Sequence, residues 1–335
     1  MKKLHLILPI LPALIYPLSV TAHHSPAAFN TQETVEVTGT IVDYSFRNPH
    51  VYMTLSVTES DGSVREVNVE AGAGSVISPL GFTRNSVSSG DTVTIIGNPG
   101  RRNPDGLLLG RELYHQDGTY FPLNISSRSI NDYGDDVAQS IEGTWFSPRT
   151  SFFGFLGGSG SWSLTEAGSN ARANTNPLDT THKDCIPIGI PGLMFYPVAN
   201  TIEVYEDRVV MTIDWLDSVR TIFLDGRAHP DSSQTSLQGH SIGHWEEESL
   251  VVDSANFSEH AMGLSTSLPG SVQKHMIERF QISDDGKQMI YSGTLSDPVY
   301  LAEPVEWTGT WVYRPGMEHS NESCNLEAAR RFLDD

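Results

Sequence analysis

The sequence predicts an all-β protein built from two closed sheets, a small one first and a larger antiparallel one after it. Three observations predict this. Apolar residues recur in short alternating runs of strand length. Asp-Gly pairs punctuate those runs, as hairpin turns at Asp61-Gly62, Asp117-Gly118 and Asp285-Gly286 and as a turn at a strand end at Asp225-Gly226. No apolar helical period holds for more than two turns until "NLEAARRFLDD" at the end. The 335 residues are enough for about two domains.

The chain opens on a leader. Lys2 and Lys3 precede an apolar stretch from Leu4 to Leu18, and Val20 and Ala22 hold the small-residue positions before a cut between Ala22 and His23. Residues 1–22 are therefore read as a signal peptide, and the mature protein as periplasmic or secreted. The apolar run is shorter than the roughly 20 residues a bilayer requires, so no transmembrane anchor is expected. There are 21 basic and 41 acidic residues, a net charge of −20, and loss of Lys2 and Lys3 makes the mature chain more acidic still. Binding phosphate requires a basic footprint, which excludes nucleic acid as a partner. Cys185 and Cys324 are the two cysteines. In an oxidising compartment they are expected to form one disulfide, worth roughly 5 kcal/mol in the chain-entropy description of so long a loop.

The first domain is expected over residues 23–123. "VEVTGTIVDYSF" alternates through Val35, Val37 and Gly39 and breaks period at Ile41 and Val42; "HVYMTLSVT", "VREVNVEAG", "DTVTIIGNP" and "GLLLGRELYH" follow. "GSVISPLGFTRNSV" holds one short helix between the third and fourth strands. Five strands with one helix suggest a small barrel of the oligonucleotide/oligosaccharide-binding (OB) kind. Residues 124–140 are polar and read as a linker.

The second domain is expected over residues 141–335. "TIEVYEDRVVMTIDW" gives two strands turning at Glu206-Asp207, and "SVRTIFLDGRAHP" gives another. "GHSIGHWEEESLVVDSANF" turns at Glu247 to Glu248, "SVQKHMIERFQISDDGKQMIYSGTLSD" at Asp285-Gly286, and "VEWTGTWVYRP" closes the series. Successive hairpins of this kind suggest a lipocalin-like barrel of about eight strands with room for one small ligand. The glycine-rich "SFFGFLGGSGSW" reads either as a flap over the barrel mouth or as a loop packed on it. The six tryptophans, Trp145, Trp162, Trp215, Trp245, Trp307 and Trp311, are expected mainly in the core.

Several stretches together resemble an exported bacterial domain family of unknown function: "AHHSPAAF", "GTIVDYSFRNPHVYM" and "GFTRNSVSSGDTVTIIG". Its members carry His-His-Ser after the signal and Asn-Pro-His in the second strand, and the likeness runs roughly from Ala22 to Leu123. The second half resembles uncharacterised exported bacterial proteins through "CIPIGIPGLMFYP", "RTIFLDGRAHP", "GHSIGHWEEESLVVDSANF" and "HMIERF". It departs from them at His244, where arginine is expected, and at Glu247, where glycine is expected. The resemblance implies compartment and boundaries and no established reaction.

Two clusters carry the candidate chemistry. After cleavage at Ala22, His23 has a free α-amine that chelates a metal together with its own ring, and His50 in "RNPHVYM" is the natural third ligand. Amine and imidazole donors suit copper. The second cluster is assigned to the barrel: Asp225, Arg227 and His229 from "LDGRAHP", His240 and Ser241 from "GHSIGHW", and His275, Glu278 and Arg279 from "KHMIERF". His240 paired with Asp225 or Glu278 is the expected acid–base couple, with His275 and Arg279 beside it, and Arg227, His229 and Trp245 as substrate-binding residues. Strand alternation puts His275, Ile277 and Arg279 on one face and Met276, Glu278 and Phe280 on the other. "GHSIG" has the letters of a nucleophile elbow around Ser241 but leads into a strand, not a helix, so a serine hydrolase is not expected. No phosphate loop, dinucleotide fingerprint or zinc-protease helix occurs. The function expected is binding of a small, largely apolar molecule, with cofactor-independent acid–base chemistry (hydrolysis, isomerisation or elimination) as its enzymatic form. A copper-binding envelope protein and a carrier or interaction module are the alternatives.

Overall fold

The computed structural model describes residues 28–125, 135–176 and 180–330. The expected leader, His23 and most of the expected linker lie outside the described residues. Strands β1 (Val35–Ser45), β2 (Tyr52–Thr58), β3 (Val64–Glu70), β4 (Thr92–Pro99) and β5 (Leu107–His115) close a barrel, with a short β6 (Tyr120–Pro122) added to β5. The ring runs β1-β2-β3-β5-β4-β1, and α1 (Gly74–Ile77) lies between β3 and β4. This is the OB arrangement. The broken period at Ile41–Val42 is a β-bulge: the pairing of β1 with β2 shifts between Ile41 and Asp43. Val42 is left 48% exposed. Leu55, Val69, Ile95 and Leu113 fill the interior.

The larger barrel has nine strands, β7 (Gly143–Phe146), β8 (Ala199–Val204), β9 (Arg208–Ile213), β10 (Ser218–Phe223), β11 (His240–Glu246), β12 (Ser249–Ala255), β15 (His275–Ile282), β16 (Gln288–Ser296) and β17 (Val305–Tyr313). A two-stranded sheet of β13 (His260–Ser265) and β14 (Leu268–Gly270) lies outside it. Nine strands fit the eight or so expected, and one pairing differs from the antiparallel meander: β10 and β11 run parallel. Geometry requires it. Directions alternate around a ring of antiparallel neighbours, so an odd ring must contain at least one parallel pair. The same holds in the first barrel, where five strands close through the parallel pair β3–β5. A parallel pair needs a long connection, which residues 224–239, carrying Arg227 and His229, provide.

The interior of the larger barrel holds a charged network. Arg220 and Glu278 are 2% and 0% exposed. Arg220 Nη1 donates to Glu278 Oε1 at 3.0 Å and Nη2 donates to Oε2. Tyr291 donates its hydroxyl to Oε1 at 2.7 Å and Ser254 to Oε2 at 3.1 Å. Burial pulls the Arg220 guanidinium down and Glu278 overcomes it, so the group stays raised and charged. Burial, reinforced by Glu278, raises the Tyr291 hydroxyl well above its usual range, which keeps it a donor. Removing one partner alone would leave the other charge uncompensated, at about 3–5 kcal/mol. Phe280, Tyr291 and Trp311 pack around the network.

Two helices exceed what the sequence suggested. "SFFGFLGG" is neither flap nor loop but the body of α2 (Arg149–Gly158). Phe155 holds it by stacking on Phe195 at 4.5 Å, and the Ser151 hydroxyl donates to the Thr310 carbonyl at 3.0 Å. Tertiary packing overrides poor glycine propensity here. α3 (Glu166–Asn174) starts at Thr165, whose hydroxyl accepts from the Gly168 amide, and carries Glu166 in its first turn. The expected terminal helix is present as α4 (Leu326–Arg330).

The segment before α4 fastens the two barrels together. Cys324 is disulfide-bonded to Cys185, as expected, across 139 residues. It also forms a β-bridge with Asn48 of the first barrel. Asn48, 1% exposed, donates to the Glu322 carbonyl at 2.6 Å and accepts from the Asn325 amide at 3.0 Å. The Tyr52 hydroxyl donates to the Ala328 carbonyl at 3.0 Å. Among the described residues no helix is long and apolar enough to cross a membrane.

Candidate functional site

Alternation along β15 places its residues as expected. Met276, Glu278 and Phe280 are buried inside the barrel, while His275, Ile277 and Arg279 face outward. The consequence for the expected acid–base couple is a correction. In β11, Ser241 points inward and is buried, and His240 points outward. His240 and Glu278 are therefore on opposite sides of the barrel wall. Asp225 does not meet His240 either: Arg227 Nε donates to its two oxygens at 2.8 and 3.0 Å, and that bond holds the carboxyl down at about 2. Ser241 accepts from Arg220 inside the barrel, with no helix behind it. The interior expected to receive a ligand is filled by the Arg220–Glu278 network and its aromatic jacket.

What the fold does assemble on the outer wall is a chain of imidazoles around one carboxylate. His240 Nδ1 lies 2.9 Å from His229 Nδ1, His229 Nε2 lies 3.2 Å from Asp253 Oδ1, and His275 Nε2 lies 2.8 Å from the same oxygen. Phe223 stacks on His240 at 5.2 Å, and the Arg227 guanidinium lies over Phe223 at 3.8 Å. Burial, then His229 and Arg227, lower the His240 imidazole below its usual value. Asp253 was not singled out by sequence. Its role follows from the register, in which β12 pairs with both β11 and β15. The remaining expected residues lie elsewhere: Arg279 binds Glu246, which His244 also meets at 3.2 Å, and Trp245 is 42% exposed near the turn that follows. Among the described residues no group of three or more His, Cys, Asp and Glu side chains is placed to hold a metal ion.

A second site lies between the barrels, in a pocket of about 310 Å³. The first barrel contributes Phe29, His50, Glu70, Val76 and Leu109, and the second Phe152, Tyr196 and Trp215. His50 stands just before β2, and its Nδ1 lies 3.3 Å from Glu70 Oε1 at the end of β3. Burial pushes the His50 imidazole down to about 4, against the opposing pull of a hydrogen bond with the Ala71 backbone. Behind the opposite wall, His182 Nε2 lies 3.3 Å from the Tyr196 hydroxyl. Burial, and then His50 and His260, lower His182 to about 3. Burial alone raises the Tyr196 hydroxyl. At neutral pH the site thus holds two uncharged imidazoles and a protonated phenol among aromatic rings. Sequence reasoning found His50 but not its surroundings. His182 and Trp215 lie far from it in the chain, and the proximity of His182 to the disulfide at Cys185 was the one available hint.

Fold and site together define a two-barrel β protein with an apolar pocket at the seam between its barrels. Residues 14–108 match the model of a family of unknown function (DUF6152), over the stretch that carries most of the first-half resemblance, and the rest of the chain supplies the second barrel. A search of curated proteins finds no match.

Proposed function

We propose that this is an exported binding protein that holds a small, largely apolar molecule in the pocket between its barrels. The observation that supports this most is the form of that pocket: a partly open cleft of about 310 Å³ with aromatic and aliphatic walls and a few converging polar groups, the general character of a small-ligand site. The signal peptide at residues 1–22, the periplasmic or secreted location, and the boundaries 23–123 and 141–335 belong to the same proposal. If the bound molecule is also turned over, His50 is the base at hand, since its imidazole is unprotonated at neutral pH and anchored on Glu70. The test is mass spectrometry of small molecules retained by the purified protein. A compound should be carried by the wild type and lost from Val76→Trp, which fills the pocket from the first barrel. Equal retention by the two proteins would contradict the reading.

Copper binding is the second reading, favoured by the placement of Phe29 and His50 on one pocket. Phe29 bridges to Gly100 and follows His23 by six residues, a span of at most about 20 Å. A terminal His23, itself outside the described residues, would chelate copper through its amine and ring, with His50 completing the set. Metal analysis of protein with a sequenced amino terminus tests this. Copper that survives loss of both His23 and His50 rules out the ligand set.

A further inference from the structure

The imidazoles on the outer wall of the larger barrel have room for a fixed number of protons. Asp253 Oδ1 accepts from His275 Nε2 at 2.8 Å and from His229 Nε2 at 3.2 Å. A proton on Nε2 leaves Nδ1 of a neutral His229 bare. That Nδ1 lies 2.9 Å from His240 Nδ1, with the ring centres 5.1 Å apart. This is close to the longest separation such a contact allows, so the two nitrogens point at each other. Only one proton fits between them. When both rings are neutral, His240 donates to His229. With one proton added, His229 is an imidazolium beside Asp253 and donates to His240. A second added proton sets N–H against N–H, and the contact fails. The pair is one coupled site that takes its protons in separate steps. Asp253 favours the first, while burial of His240, then His229 and Arg227, oppose the second.

His229 belongs to the crossover 224–239 that makes β10 and β11 parallel. Backbone bonds hold its two ends: the Leu224 amide donates to the Asp207 carbonyl at 2.8 Å, and the Ser258 amide to the Ser236 carbonyl at 2.8 Å. Between them, among the described residues, the hydrogen bonds that tie residues 225–235 to the wall are those of His229 and those of Asn256, which donates to the Pro230 carbonyl at 3.0 Å and the Asp231 carbonyl at 3.4 Å. Asp225 to Ala228 are exposed. Arg227 lies over Phe223, and Phe223 stacks on His240, so the segment covers the outer side of β10 where it meets β11. That meeting rests on two register pairs, Ile222 with Ser241 and Phe223 with Ile242. The titratable and charged groups facing the pair are Asp253 from β12, His275 from β15, and Arg227 from the crossover itself, with Asp225 and Asp207 beside it.

We propose that the His229–His240 pair is an acid-operated latch on the crossover: it stays shut with no added proton or with one, and the second proton opens it, freeing residues 225–235 and uncovering Phe223. The device is independent of the pocket between the barrels. The test is NMR of the full chain, uniformly labelled with nitrogen-15, from pH 8 to pH 4, with the Trp215 indole resonance reporting the seam. In the shut state the two Nδ1 nitrogens should show a scalar coupling across their hydrogen bond. The pair should titrate in two steps more than about one pH unit apart. Amide exchange of residues 226–235 should rise at least roughly tenfold through the second step while the Trp215 resonance holds. His240→Gln should stay shut throughout, because an amide side chain can donate to His229 or accept from it and so fits either of its protonation states. Absence of the coupling, with both rings titrating independently near the ordinary imidazole value, would overturn the latch. So would opening of His240→Gln at the same pH as the wild type, or opening of the segment only together with the seam. The wild-type measurements need no variant to fold.

Discussion

At Glu247 the backbone has φ of +54°, in the left-handed region that a side chain with a β-carbon enters at a penalty of about 1–2 kcal/mol. The resemblance of the second half led to an expectation of glycine there, and the turn between β11 and β12 is one that glycine enters without that penalty. Glu247→Gly is expected to raise stability by about 1 kcal/mol, read as a higher urea midpoint with an unchanged slope. The residue scale is also where sequence reading reached least far. His50 was visible as a candidate through its Asn-Pro-His context, and both ends of that motif turn out to matter: Asn48 holds the carboxy-terminal segment and His50 lines the pocket. Asp253 and Trp215 carried no local signal. Asp253 becomes the centre of an imidazole chain only once β12 is known to lie between β11 and β15. Trp215 becomes part of the pocket wall only once the first barrel is set against it.

Among the elements, strands were legible because alternation follows from backbone geometry, and β15 separated its inward and outward residues as its sequence predicts. The bulge in β1 was legible for the same reason. Helix α2 was not, since glycine lowers helix propensity and the stabilising contact, Phe155 on Phe195, is long-range. Its glycines suggest a direct check. A β-carbon at Gly157 or Gly158 would meet nothing within 4 Å. Gly157→Ala and Gly158→Ala should each stabilise the protein by roughly 0.5–1 kcal/mol, measured as the shift in unfolding midpoint. A loss of stability in both would mean that α2 is not helical there. The parallel pair β10–β11 was illegible because it follows from the number of strands in the closed ring, which no single segment reveals.

For the whole molecule, the two barrels meet around His50 and His182, and the disulfide and the segment leading to α4 fasten that meeting. This makes the seam sensitive to acid. In the folded protein the two imidazoles stay neutral down to about 4 and about 3, whereas in the unfolded chain they protonate near 6.5. The unfolded chain therefore binds more protons below about pH 6.5, and stability, fully present above that value, falls as pH drops through the window. Between pH 6.5 and 5 the loss should be on the order of 3 kcal/mol, and replacing both histidines with glutamine should flatten it. The central claim, that the seam is a ligand site, is tested most directly by NMR mapping of the isotope-labelled protein titrated with 1-indanone, a small, largely apolar probe. The account predicts concerted shifts at Val76 and Leu109 of the first barrel and at Phe152, Tyr196 and Trp215 of the second. Shifts confined to the outer wall around His229, Asp253 and His275, or none at all, would contradict it.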